Sequence, residues 1–111
     1  MAVYARRCSV IVLSMTAMAA GAQPQHAPPG DRDLVHLVRD DCGSCHGLTL
    51  KGGLGPSLLP DALRGKSAAY LASVILEGRP DTAMPPFSPI LTRAQAEWIA
   101  QHLLAGFPDA R

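Results

Sequence analysis

Cys42-Gly43-Ser44-Cys45-His46 sets two thiols three residues apart and an imidazole directly after the second. Each thiol can add across one vinyl group of a porphyrin and form a thioether, and the adjacent imidazole can place a nitrogen on the iron; the run is a haem-attachment signature. Three neighbouring tethers hold such a cofactor in a chain too small to bury much surface by itself. Two other chemistries use the same residue types. A redox dithiol of the thioredoxin kind sits after a strand in a βαβ unit, and neither precedes Cys42. A structural zinc site needs a fourth ligand, usually from a second pair at finger spacing. No such pair follows, and His102 is the recruit the sequence offers. The Gly-rich stretch 47–60 lacks the G-x-x-x-x-G-K-[ST] pattern of a phosphate loop and follows no strand.

A haem held by His46 has a second face. Met84, His26, His36 and His102 carry the atoms that could close it. Met84 is the best placed, in Thr82-Ala83-Met84-Pro85-Pro86-Phe87, where two prolines restrict the backbone and fix the thioether. It lies 38 residues after His46, enough for a loop and a helix to carry the chain around a ring, and it is the only methionine after residue 22. Met would fill a core gap equally well in isolation; beside a haem motif the ligand reading takes precedence. A ligand histidine donates its other N–H to a carbonyl or carboxylate, and the Pro56 carbonyl, ten residues on, is the candidate acceptor. Arg64, Lys66, Tyr70 and Arg79 are candidates for the two propionates, with arginine suited to bidentate contact. Leu58, Leu71, Ile75 and Phe87 are expected as the apolar wall, and Trp98 beside the haem or against the first helix.

The elements that must position these groups read as helices. Asp31 to Asp41 form the first, capped by Asp31, with Leu34, Val35, Leu37 and Val38 on one face, and it runs into the cysteine motif. Residues 47–60 form a loop. Ser67 to Glu77 form the second helix, with Ser67 as cap, Gly78 as stop and an apolar face of Tyr70, Leu71, Val74 and Ile75. Residues 79–89 form a proline-broken loop. Thr92 to Ala105 form the third, with a Thr92/Gln95 capping box, a stripe of Trp98, Ile99, Leu103 and Leu104, and Gly106 as terminator. No segment shows the two-residue alternation of a strand, so the fold class is all-α, three main helices and loops around one haem, over residues 31–105.

Arg6 and Arg7, the uncharged run 8–20 and Ala20-Gly21-Ala22 read as an export signal cleaved after residue 22. A retained anchor is the alternative, at the short edge of what spans a bilayer; Cys8 lies too early in the apolar run for lipidation. Residues 23–30 read as a flexible proline-rich segment and 106–111 as a tail. The whole chain carries a formal net charge of +1; loss of Arg6 and Arg7 leaves eight basic residues against nine acidic ones. With no dense basic patch, nucleic acid is a poor partner. The mature protein is expected to be a monomer in the periplasm, without stable membrane insertion.

Cys42-Gly43-Ser44-Cys45-His46, Gly55-Pro56, Met84-Pro85 and a C-terminal helix follow one another as in class I cytochrome c, which this chain resembles over about residues 31 to 105. It resembles the short bacterial type, without the long loops of the mitochondrial protein. The segments Cys42–Leu58 and Gly78–Phe87 look most like the NirC-type cytochromes associated with cytochrome cd1 nitrite reductase. The resemblance implies one covalently bound haem c per chain, iron ligands His46 and Met84, a Pro56 carbonyl supporting His46, and first and last helices that cross near each other. It also implies an electron carrier rather than an enzyme, in nitrite reduction and denitrification. The partners it implies are redox proteins: cytochrome cd1 nitrite reductase as acceptor and a quinol-linked donor upstream. Two alternatives are an accessory of nitrite reductase or haem d1 maturation, and a haem enzyme or gas-binding protein with a displaceable Met84.

Overall fold

The computed structural model of the protein describes residues 30–107. The export signal and its cleavage point, His26 and the rest of 23–29, and residues 108–111 lie outside the described residues.

Gly30 opens the first helical run. Its N–H donates to the Asp33 carboxylate (3.1 Å), and Asp31 and Asp33 both lie in the first turn, where the helix dipole favours negative charge. Gly30 is therefore the cap, and Asp31, expected in that place, is the first helical residue. The run consists of α1 (Asp31–Leu37), a π-helical stretch (Val38–Cys42) and α2 (Gly43–His46). These join without a break: Leu37, Val38, Cys42 and Gly43 all keep right-handed helical dihedrals. The helix expected to end at Asp41 thus contains the cysteine motif. It stops at Gly47, whose φ of +88° no longer continues it.

The π-helical stretch was not legible in the sequence. Its signature is the Gly43 N–H, which donates to the carbonyl of Val38, five residues back. The widened turn shifts the phase of the motif relative to Leu34 and Val38, which are both in the core. Single π turns inside α-helices are frequent at functional sites.

A further one-turn helix, α3 (Pro60–Leu63), follows the first loop, with Pro60 at its start, where proline's missing N–H costs no bond. Then come α4 (Ala68–Glu77) and α5 (Arg93–Ala105). Ser67 Oγ accepts from Tyr70 N–H (3.1 Å). Thr92 Oγ1 accepts from Gln95 N–H (3.2 Å) while Gln95 Oε1 accepts from Thr92 N–H (2.8 Å). Both caps are as expected from the sequence. No strand occurs among the described residues, and the fold is all-α.

The core follows from helical spacing. On α5, Ala96, Ile99, Ala100 and Leu103 are buried; on α4, Leu71, Ala72, Ile75 and Leu76. Ala72, Ala96 and Ala100 are wholly buried, small residues that leave room for the α4–α5 pair to approach closely. Leu34 and Val38 of the first run belong to the same cluster. No polar side chain is buried among the described residues. Phe107, in the segment read as a tail, is buried and meets Trp98 edge-on, with ring centroids 6.4 Å apart.

Candidate functional site

The loop after His46 is built to hold its ring. Gly52 N–H donates to the His46 carbonyl and Gly55 N–H to the Cys45 carbonyl, both at 2.8 Å, so the last carbonyls of α2 are satisfied by the loop itself. This brings Pro56 back over the motif. His46 Nδ1 and the Pro56 carbonyl lie 2.7 Å apart. A carbonyl only accepts, so Nδ1 carries the proton and donates. In the neutral ring that leaves Nε2 with a free lone pair, the state a metal ligand needs. Gly55 completes the seat: a Cβ there would fall 2.7 Å from His46 Cε1 and 2.8 Å from Nδ1. Only a residue without a side chain lets the loop lie against the imidazole, a requirement that sequence reading had not found.

Cys42 and Cys45 are both free and partly buried. Burial, with the adjacent Asp41 carboxylate next in effect, pushes the Cys42 thiol up to about 11. Such a thiol stays protonated at neutral pH, the reverse of the low-pKa cysteine of a redox dithiol.

Met84 sits on a tight loop opened by the end of α4. Gly78 takes a φ of +69°, and a Cβ there would fall 2.8 Å from the Met84 carbonyl oxygen. Arg79 N–H donates to that carbonyl (3.2 Å), and Thr82 N–H to the Arg79 carbonyl (3.2 Å). Further on, Phe87 N–H and Ser88 N–H donate to the carbonyls of Ile75 and Leu76, which staples the loop to α4.

Between the two loops lies a cavity of about 790 Å³, inside the range of roughly 300–1,000 Å³ common for cofactor sites. Cys42, Cys45, His46, Pro56 and Met84 all line it. Leu58, Leu71, Ile75 and Phe87 form apolar wall, as expected. Lys66, Tyr70 and Arg79 also line it. Arg64, expected with them, does not; it pairs with Asp61 (2.6 Å) in the open, its side chain 80% exposed. The residue lies at the end of α3, a turn whose direction the sequence had not revealed. Trp98 does not line the cavity either. It stacks on His102, ring centroids 3.7 Å apart, and His102 Nδ1 lies 2.7 Å from the Trp98 carbonyl. His102 and the exposed His36 are both absent from the cavity lining, so of the candidates for the second face within the described residues, Met84 is the one the fold brings there. No cluster of three or more His, Cys, Asp or Glu suited to a metal ion occurs among the described residues, as a zinc site would require.

This donor set fits a covalently held haem. Two thiols, an imidazole with a free Nε2 and a thioether line one largely apolar cavity, and basic and phenolic groups are available for carboxylates.

Known proteins of the same build exist. Residues 29–103 match the family model described as cytochrome C oxidase, cbb3-type, subunit III. The chain is 52% identical over 73 residues to the cytochrome c55X of Pseudomonas aeruginosa, covering 66% of this chain and 61% of that one. It is 49% identical over 94 residues to the cytochrome c55X of Paracoccus denitrificans, covering 85% and 90%. Among solved structures it is similar to the c-type cytochrome NirC, with a TM-score of 0.67, 49% identity and coverage of 71% of this chain and 96% of that one. It is also similar to 16% of the dihydro-heme d1 dehydrogenase NirN in complex with DHE, with a TM-score of 0.60, 40% identity and coverage of 66% of this chain.

Proposed function

This chain belongs to the NirC-type, cytochrome c55X branch of the class I cytochromes c, which bind haem c covalently, and from that premise we propose that it carries single electrons in the periplasm to cytochrome cd1 nitrite reductase. The observation that carries the reading is the 2.7 Å contact between His46 Nδ1 and the Pro56 carbonyl, in a cavity that also holds both thiols and Met84. When bound, the haem supplies a one-electron iron couple. Cys42 and Cys45 would tether it. His46, kept in its Nδ1–H tautomer by Pro56, would offer Nε2 to the iron. Met84 would offer its thioether as the second ligand, and a His/Met pair favours a higher potential than two histidines.

The apolar wall of Leu58, Leu71, Ile75 and Phe87 excludes water from the ring. Lys66, Tyr70 and Arg79 would take the propionates. Backbone ties on both loops would hold the ligand side chains in place in either oxidation state. Leu54, 82% exposed, and the exposed Pro85 would form the rim that meets redox partners, through the small, weak contacts usual for them. A quinol-linked protein reduces the carrier. Removal of residues 1–22 on export leaves it soluble in that compartment; no described helix is long and apolar enough to cross a membrane. Domain 31–105 acts as a monomer.

A second reading has its own support in the likeness to part of dihydro-heme d1 dehydrogenase. In it the protein serves haem d1 maturation, taking electrons from a dehydrogenase one at a time. Stopped-flow mixing separates the two. Carrier function to the reductase predicts rapid oxidation of the reduced protein by purified cytochrome cd1 nitrite reductase, and nitrite turnover that rises with its concentration. Oxidation by the reductase no faster than by air, together with rapid reduction by the dehydrogenase and its substrate, would reject the carrier reading in favour of maturation.

A further inference from the structure

We infer that Thr82 is a positioning residue for the iron's second ligand, its hydroxyl closing the loop that presents Met84. The inference rests on the reading of Met84 as a ligand. The loop has two ties on either side of the Met84 side chain, and both lead to Arg79. The Met84 carbonyl accepts directly from Arg79 N–H (3.2 Å). The Met84 N–H donates to Thr82 Oγ1 (3.3 Å), and the same hydroxyl donates to the Arg79 carbonyl (2.7 Å). One hydroxyl can donate once and accept at the same time, so Thr82 relays the Met84 backbone to Arg79 with both bonds satisfied. The thioether itself has no hydrogen bond to aim it. Its direction is set by the backbone on which it stands, and half of that backbone's fixing passes through this oxygen.

The turn that carries the hydroxyl is one that needs support. Thr82 N–H donates to the carbonyl of Arg79, three residues back, with Pro80 second and Asp81 third. Asp81 takes a φ of +60°. That is the pattern of a type II turn, whose third position is usually glycine; aspartate tolerates the left-handed region better than most residues but not freely. Gly78, packed against the carbonyl of Met84, provides the floor on which the loop closes. Thr82 and Met84 both line the cavity, whereas Thr82 is exposed to solvent, so its loss removes two bonds without opening the core.

The haem-loaded protein tests this with carbon monoxide, which binds ferrous iron only when the thioether swings away. Thr82→Val keeps the shape and removes the hydroxyl. It is expected to bind carbon monoxide about thirtyfold faster than the unmodified protein, the factor that two lost hydrogen bonds of ordinary strength imply. It should also lower the reduction potential and weaken the ferric sulfur-to-iron charge-transfer band in the near red. Thr82→Ser, which restores the hydroxyl, should return all three towards the unmodified values, and Thr82→Ala should behave as Thr82→Val. Unchanged binding rate and band in both hydroxyl-free variants would overturn the inference while leaving Met84 as ligand. An unmodified protein that lacks the band, with a spectrum unaltered by Met84→Ala, would instead overturn the ligand reading and this inference with it.

Discussion

The two loops that line the cavity hold their proposed iron ligands in different ways. His46 stands on the helical run that also carries Cys42 and Cys45, and its ring is gripped directly: a hydrogen bond from Nδ1 to Pro56 and a glycine packed on its face. Met84 has no such grip. Its loop is tied end to end through backbone and one hydroxyl, and its thioether follows the loop. Each loop uses a hydroxyl bridge, but with different weight. Ser57 Oγ donates to the Leu50 carbonyl (3.3 Å) and accepts from Leu59 N–H (3.2 Å), next to a direct Leu58–Leu50 backbone bond of 2.9 Å that makes it redundant. Thr82 bridges where no parallel bond reaches the Met84 N–H. The His46 ring is therefore held directly, and the Met84 side chain only through the backbone on which it stands.

Variants can break or sharpen this contrast. The largest effect belongs to the histidine side: Cys45→Ala or His46→Ala should abolish accumulation of stable haem-loaded protein, read as loss of visible absorbance in the exported fraction. Met84→Ala comes next and differs in kind. The haem stays attached, the reduced protein binds carbon monoxide freely, and the potential falls by on the order of 0.1 V, within the roughly 0.8 V that axial ligands span. If Met84→Ala lost its haem as His46→Ala does, the contrast would collapse. Gly55→Val drives a side chain into the imidazole; thermal unfolding should show a loss of about 1–3 kcal/mol, the usual cost of overpacking. Ser57→Ala should cost about 1 kcal/mol or less and leave the potential unmoved. Arg64→Ala is expected to do least, within about 0.5 kcal/mol, because its pair with Asp61 is a surface one. A potential shift there would return Arg64 to the propionates.

Those expectations also mark what the sequence made visible. The Cys42–His46 motif, the Ser67 and Thr92 caps, and the stops at Gly78 and Gly106 depend on neighbours a few residues away, and the fold has them as read. The Pro56 brace was found because acceptor and ring are close in sequence and the chemistry demands a partner. The features that escaped leave no mark in residue type or spacing. The π-helical stretch has no local breaker to announce it. Gly55 reads as loop glycine until the ring is above it. Nothing in sequence spacing separates Arg64 from Lys66 and Arg79; Arg64 ends the one-turn helix at Pro60–Leu63 and pairs with Asp61 in the open, while the other two line the cavity. Trp98 fits an apolar stripe, yet it stacks on His102 one turn along α5 rather than lining the cavity. Thr82 appeared only as a flank of Met84, since its role lies in bonds to Arg79 on the other side of a turn.

We propose that His46 and Met84 close the iron from its two faces. X-ray absorption at the iron edge of the oxidised protein distinguishes this arrangement from a bis-nitrogen one. A sulfur ligand is expected alongside the nitrogens, lost in Met84→Ala and retained in the His102→Ala and His36→Ala variants. An unmodified protein whose iron shows nitrogen ligands and no sulfur would contradict it.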